Sequence, residues 1–257
     1  MHAPRKRFGQ HFLEDQGVVE QMMAAIRPRP SDRFIEIGPG LGALTLPLLQ
    51  RLEHLHVIEI DRDIVEDLRQ RHPPNRLSIH DGDALEFDFA AAGRDLRVVG
   101  NLPYNISPAI LFHLTDHASA VQDAHFMLQR EVVDRMCANP DTAAYGRLSV
   151  MLQYRWSIES LFDVPPSAFR PAPKVWSSVV RMIPYGRLPH VASDEALFAE
   201  VVMRAFGQRR KTLRNTLKEK MAVSDFERLQ IDPIARGETL GVGDFVRIAN
   251  LIAAGRS

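Results

Sequence analysis

A chain of 257 residues, 45% hydrophobic and 25% charged, is long enough for one large globular domain with a smaller one beside it and needs no covalent staples. Its 32 basic residues cancel its 32 acidic ones, so any affinity for a polyanion must come from how charge is placed and not from its sum. Cys137 is the only cysteine, which excludes an internal disulfide framework, a multi-cysteine zinc site and a Cys-x-x-Cys redox centre, and a reducing compartment is expected.

The start, Met1 to Gln10, is basic but no apolar run follows it, and no uncharged apolar stretch of about 18 residues occurs anywhere, so a cytoplasmic protein without a membrane span is expected. A helix is predicted over Glu14 to Ile26, before a first strand at Arg33 to Ile37. There follow a helix over Leu41 to Arg51, a strand at Leu55 to Ile60, a helix over Ile64 to Arg71 and strands at Leu77 to His80 and Asp95 to Gly100. Next come a helix over Pro108 to Ala118, a strand at Asp123 to Leu128, a helical stretch near Glu131 to Ala138 and strands at Trp156 to Val164 and Val175 to Ile183. Short apolar runs alternating with helices predict a doubly wound α/β sheet covered on both faces. After the loop Pro184 to Pro189 no further strand is predicted. Helices are predicted over Phe198 to Phe206, Lys211 to Met221, Ser224 to Leu229 and Val242 to Ala253, giving a Rossmann-like domain at 1–186 and a small all-helical domain at 190–257.

The first strand runs into Glu36-Ile-Gly38-Pro-Gly40-Leu-Gly42-Ala43 and then a helix. Glycines at such a junction let backbone approach a ligand, and the helix N-terminus beyond offers unpaired N–H groups. The dinucleotide pattern Gly-x-Gly-x-x-Gly is not met, because the third glycine comes one position early; the methyltransferase form Glu-x-Gly-x-Gly-x-Gly fits. A tight strand-to-helix turn is the plain alternative. Glu59 ends the next strand, where a carboxylate can accept both hydroxyls of a ribose. Asp83, in His80-Asp-Gly-Asp83, can bond an adenine amino group, with Asp81 as its competitor and a simple Asp-Gly turn as the alternative.

The strand ending at Gly100 leads into Asn101-Leu-Pro-Tyr104. An aromatic amine is a poor nucleophile because its lone pair is delocalised into the ring. The Asn101 amide oxygen and the Leu102 carbonyl, held by the fixed φ of Pro103, can accept the two amine hydrogens and turn the lone pair outward. Tyr104 offers a face for a purine, worth roughly 1–3 kcal/mol per base, against the few kcal/mol needed to swing a base from its stack.

Gly38-Pro-Gly-Leu-Gly42, Glu59, Gly82-Asp83-Ala84 and Asn101-Leu-Pro-Tyr104 together resemble the motif series of the rRNA adenine dimethyltransferases. Three further segments extend the resemblance over nearly the whole chain: Lys6-Arg-Phe-Gly-Gln-His11-Phe-Leu13, Phe169-Arg-Pro-Ala-Pro-Lys174-Val-Trp-Ser-Ser and Phe206-Gly-Gln-Arg-Arg-Lys211-Thr-Leu-Arg-Asn215. It is greatest to the bacterial members that dimethylate two adjacent adenines in the 3′-terminal hairpin loop of small-subunit rRNA. The resemblance implies the S-adenosyl-L-methionine (SAM) methyltransferase fold, with S-adenosylhomocysteine as product and no metal. It implies SAM contacts at His11, Leu13, Gly38, Gly40, Glu59, Asp83 and Asn101, and a target adenine held by Asn101, Leu102, Tyr104 and Phe169. The family usually has Asn where this chain has His11; imidazole can still donate a hydrogen bond to the methionine carboxylate. The implied partners are small-subunit rRNA and the immature small ribosomal subunit, and a monomer is expected.

Between Arg204 and Lys220 seven basic residues face Glu219 alone. With Arg5, Lys6, Arg7 and Lys174, the cations Arg209, Arg210, Lys211 and Arg214 are read as a phosphate-tracking surface, a solvated helix face being the alternative. His113 and His117 have a metal-like spacing but no third ligand, and Asp61-Arg-Asp63 reads as a helix cap. Two other functions compete: an RNA-binding assembly factor with incidental methylation, and an NAD-dependent dehydrogenase, which the glycine spacing disfavours.

Overall fold

The computed structural model describes residues 11–208 and 210–255, and the chain falls into two compact units, Met1–Val133 with Ile158–Pro184, and Asp134–Ser157 with Tyr185–Ser257. The first unit opens with a two-residue strand β1 (Phe12–Leu13) and helix α1 (Gln16–Ile26). The Asp15 carboxylate caps α1 by accepting from the Val18 N–H, and Arg27 ends it in the left-handed region. Residues Val18, Val19, Met22, Met23 and Ile26 recur at helical spacing and form its buried stripe.

Then alternate β2 (Arg33–Ile37), α2 (Thr45–Leu49), β3 (Leu55–Glu59), α3 (Arg62–Arg71), β4 (Leu77–Asp81), α4 (Phe89–Ala92), β5 (Leu96–Asn101), α5 (Ser107–Asp116) and β6 (Val121–Gln129). Helix α6 (Arg130–Cys137) and α7 (Arg147–Gln153) precede β7 (Trp156–Val164), a short β8 (Phe169–Arg170) and β9 (Ser177–Pro184). The division between units runs inside α6 and at the start of β7.

Seven strands form one sheet in the order β4-β3-β2-β5-β6-β9-β7, and β1 pairs antiparallel with β8. The neighbours from β4 to β6 are all parallel, whereas β9 runs antiparallel to β6. In β2 both alternate faces are buried, Phe34 and Glu36 on one and Ile35 and Ile37 on the other, as a sheet covered on both sides requires. The order reverses between β2 and β5, so the loops after β2 and β5 leave a crevice at the carboxyl edge.

Several elements differ from the sequence expectation. Helix α2 is confined to Thr45–Leu49, because residues 41–44 are consumed by the turn that the positive-φ glycines make. The two-residue strands β1 and β8 and the four-residue α4 are too short to show periodicity. Asp61 does cap α3, accepting from the Asp63 N–H at 3.2 Å.

In the second unit, helices α8 (Glu195–Gly207), α9 (Leu213–Thr216), α10 (Val223–Leu229) and α11 (Val242–Ala254) share a core that includes Phe198, Val202, Phe226 and Phe245. The unit also takes in residues 134–157, which the expected division at 186 leaves with the sheet domain. Tyr145 and Tyr154 explain the grouping: both are buried in the helical core, Tyr145 donating to the Leu240 carbonyl at 2.9 Å and Tyr154 to Glu195 at 3.2 Å. The predicted Lys211–Met221 helix is reduced to α9, since the N–H groups of Leu213 and Arg214 bond the carbonyls of Ala235 and Pro233.

Arg97, only 7% exposed, ties the base of the sheet together. Its guanidinium makes a forked pair with Asp123, donates to Asp32 at 2.6 Å and to the Ile26 carbonyl at 2.7 Å, and lies 4.7 Å over the Phe34 ring. Truncation would leave two carboxylates and a carbonyl without their donor. Arg97→Ala is expected to lower unfolding free energy by about 3–5 kcal/mol, read as a shift in the denaturant midpoint; a loss below about 1 kcal/mol would show the network to be solvated.

Candidate active site

The crevice at the carboxyl edge is lined by the turns after β2, β3, β4 and β5 and by β1. Gly38 and Gly40 hold φ of +66° and +53°, where an L side chain is strained. A Cβ on Gly40 would come within 3.1 Å of the Phe12 ring, so this turn and β1 approach each other only because the side chain is absent. A Cβ on Gly38 would meet nothing, leaving the backbone there open to a ligand.

Two buried carboxyl groups stand behind the turn. Glu59, at the end of β3, accepts from the Asp61 N–H at 2.9 Å and is also bonded by the N–H groups of Gly40 and Ile60. Burial nevertheless raises its pKa. Glu36, 1% exposed, accepts from Thr45 Oγ1 at 2.7 Å, and burial, partly offset by that bond and reinforced by the nearby Glu59, pushes its pKa up to about 8. Asp83 lines the crevice while its Oδ1 accepts from the Leu85 N–H at 2.9 Å. Its competitor Asp81 is exposed and lies off the wall.

Asn101, Leu102 and Tyr104 stand on the opposite wall. The Asn101 Nδ2 donates to the His11 carbonyl at 2.9 Å, which fixes the amide and leaves Oδ1 as its uncommitted end. The Leu102 N–H bonds the Met127 carbonyl at 3.2 Å, anchoring the turn to β6. The Tyr104 hydroxyl pairs with the buried Ser177 Oγ at 2.7 Å, and burial raises the phenol pKa, so the hydroxyl stays protonated. The His11 ring stacks on Tyr104 with centroids 5.5 Å apart, and its Nδ1–H donates to the Pro171 carbonyl at 2.6 Å.

The crevice thus brings together His11, Leu13, Gly38, Gly40, Glu59, Asp83, Asn101, Leu102 and Tyr104. Phe169, expected either at the target base or in the core, is 4% exposed and packed in the core with β8 paired to β1, and does not line the crevice. His11 Nδ1–H is engaged by the Pro171 carbonyl, so any contact of its side chain with the methionine end of a cofactor falls to Nε2. Lys174 is exposed on the loop before β9. Arg5, Lys6, Arg7 and Arg209 lie outside the described residues. Arg210, Lys211 and Arg214 are exposed in the second unit, but Arg204 is paired with Glu200 and Glu219, and Lys220 with Glu200, so the basic run is narrower than its sequence suggests. His113 Nε2–H donates to the Phe87 carbonyl at 2.8 Å.

Sequence reasoning missed Glu36 as a buried crevice group and Ser177 as the partner of Tyr104. The first is the leading residue of the glycine motif and was legible; the second comes from a strand remote in sequence. The residues present suit SAM: open backbone at Gly38, a carboxyl at Glu59 for the ribose diol, and Asp83 for an exocyclic amine.

Glu36 has a testable linkage. Between its unfolded value of 4.5 and about 8 the folded chain holds a proton that the unfolded chain has lost, so this stability is complete below pH 4.5 and disappears as pH rises towards 8. Glu36→Gln, which keeps an acceptor for Thr45, is expected to remove that slope, at most about 1.4 kcal/mol per pH unit, and to exceed the parent in thermal midpoint above pH 8. Parallel pH curves for the two proteins would show that Glu36 is ionised.

Comparison with known proteins places this geometry. The ribosomal RNA adenine dimethylase family model matches residues 1–254. The chain is 60% identical over 98% of its length to ribosomal RNA small subunit methyltransferase A of Aromatoleum aromaticum, covering 96% of that protein. It is 58% identical to the protein of the same name from Thiobacillus denitrificans, covering 98% of this chain and 99% of that one. Among solved structures, a dimethyladenosine transferase from Plasmodium falciparum superposes with a TM-score of 0.79 at 24% identity, covering 93% of this chain and 96% of that one. The 23S rRNA methyltransferase ErmE does so at 0.72 and 22%, covering 94% and 99%; these two establish the fold alone. With a matching family model over almost its full length and relatives of this identity, the chain belongs to the ribosomal RNA adenine dimethylase family.

Proposed function

We propose that this chain transfers methyl groups from SAM to the exocyclic N6 of two adjacent adenines in the 3′-terminal hairpin loop of 16S small-subunit rRNA. It acts as a cytoplasmic monomer on the immature small subunit during ribosome biogenesis. The observation that carries the reading is the 2.9 Å bond from Asn101 Nδ2 to the His11 carbonyl, which leaves the amide oxygen to accept from an amine. When bound, SAM supplies a methyl group on a positively charged sulfur.

Every other requirement falls on the chain. Glu59 and Asp83 hold the ribose and adenine of the cofactor, and the open backbone at Gly38 admits its amino-acid end. Tyr104, its hydroxyl held by Ser177, stacks on the extruded base. Asn101 Oδ1 and the Leu102 carbonyl accept the two N6 hydrogens, so that the nitrogen lone pair faces the methyl carbon and no longer conjugates with the ring. No strong base is required, because the nitrogen becomes acidic only once it has gained the methyl, and its proton then leaves to water or to the Leu102 carbonyl. Metal assistance has no role in this step, since the leaving sulfide is neutral. In the second unit Arg210, Lys211 and Arg214, with Lys174 in the first, contact phosphates.

Incubation with SAM and unmodified small subunits should yield dimethyladenine in the 3′-terminal hairpin, mapped by mass spectrometry; methylation at another base would overturn the assignment. Asn101→Ala is expected to lower kcat by about a hundredfold or more, and Tyr104→Ala to lower turnover much more than SAM affinity. Neutralising Arg210, Lys211 and Arg214 together should reduce the slope of log K against log salt by about 2, at roughly 0.7 per single-strand contact. An unchanged slope would remove these cations from RNA binding.

A further inference from the structure

The segment from Pro171 to Ser177 is fastened at both ends to the wall of the crevice. The Pro171 carbonyl accepts from His11 at 2.6 Å, and Ser177 pairs with Tyr104 at 2.7 Å. A third bond, from the Arg130 N–H to the Trp176 carbonyl at 3.0 Å, fixes the backbone one residue before Ser177. A chain so tethered could have turned its largest side chain inward, as Trp156 is turned, fully buried. Instead the Trp176 side chain is 48% exposed, beside the exposed Val175 and Lys174.

An exposed indole on a pinned backbone is costly to leave in water and is cheap to use, because little conformational freedom is lost when a ligand covers it. Its position identifies the occupant. Ser177 pairs with the Tyr104 hydroxyl, and consecutive Cα atoms lie about 3.8 Å apart, so the Trp176 indole leaves the chain next to the residue that holds the tyrosine. Lys174 is exposed two residues before it, and Arg130, whose N–H bonds the Trp176 carbonyl, is paired with Asp163 at 3.3 Å. An aromatic face with cations, continuous with a base-binding wall, suits single-stranded nucleic acid.

We infer that Trp176 is a second stacking platform, which holds the nucleobase next to the adenine being methylated. This rests on the adenine reading of the crevice. Extruding one base leaves its neighbour with an uncovered face. With two adjacent adenines as substrate, that neighbour is the adenine awaiting methylation or the one already modified, and the platform keeps it in reach between transfers.

The test is a double-mutant cycle with an RNA hairpin carrying two adjacent adenines in its loop, its affinity measured with S-adenosylhomocysteine present. Trp176→Ala is expected to weaken binding about tenfold or more, and Trp176→Tyr to restore most of it. An abasic nucleotide beside the target adenine, placed in turn on each side, should weaken the parent enzyme similarly at one of the two positions and Trp176→Ala no further there. SAM affinity and thermal midpoint should be unchanged in Trp176→Ala. Should that variant fold poorly, the Trp156→Phe protein reports the same contact directly, since its one remaining indole should be quenched by the hairpin and less so by the abasic one. Independent, multiplying penalties at both positions, or no quenching, would overturn the platform. A loss seen with whole subunits but not with the isolated hairpin would overturn it in favour of a protein contact. If the parent enzyme methylates no adenine in hairpin or subunit, the functional reading fails first and takes this one with it.

Discussion

A side-chain amide has a donor end and an acceptor end, and only one of them can turn an amine towards a methyl group. In this chain that choice is made by a backbone atom: the His11 carbonyl takes the Nδ2 hydrogen of Asn101, and Oδ1 is left for the crevice. The bond spans 90 residues and joins the described N-terminal segment to the end of β5. It can form only if β1 lies against the glycine turn, which the missing Cβ of Gly40 permits at Phe12, and only if β1 is held in place by its pairing with β8. The proposed chemistry at one amide therefore draws on a two-residue strand pair, a positive-φ glycine and the parallel sheet together.

The same crevice concentrates carboxyl groups that water would keep ionised. Burial raises the pKa of both Glu36 and Glu59, and Glu59 adds to the rise at Glu36. Their surroundings then divide them. Glu59 is met by three backbone N–H groups, which favour its charged form, whereas Glu36 has one hydroxyl donor and is displaced to about 8. A neutral Glu36 fits a structural post behind the turn, tied to the first residue of α2 through Thr45. Glu59, the residue proposed to meet a ribose, is the one whose charge the backbone supports.

Much of this was legible before any coordinates. Buried parallel strands leave long apolar runs, so β2 matches its predicted limits; the edge strand β7 does too, and the other predicted strands move by two residues or fewer at each end. The glycine turn, Glu59, Asp83 and the Asn101 turn sit at strand ends, where sequence patterns mark strand limits sharply. What stayed hidden depends on contacts between distant segments. β1 and β8 are two residues each and exist only through each other. No strand is predicted at Phe169, yet its pairing with Leu13 carries it into the core. The basic run near Arg204 looks unopposed because Glu200, which pairs with Arg204 and Lys220, sits a helical turn before the run begins.

His11 shows how such a site tolerates an unusual residue. Members of the family resembled here usually carry Asn at this position, and an imidazole is no isostere of an amide. The bond that orients Asn101 uses the main chain of residue 11, which is the same whatever side chain follows it. The imidazole is then free to adopt a different set of partners, stacking on Tyr104 and donating to the Pro171 carbonyl. Those partners are the Asn101-Leu-Pro-Tyr104 turn and the segment that carries Trp176, so the imidazole braces two parts of the proposed base-binding wall. Separating main-chain orientation from side-chain bracing in this way lets the side chain at position 11 differ without moving the one oxygen that the proposed transfer uses.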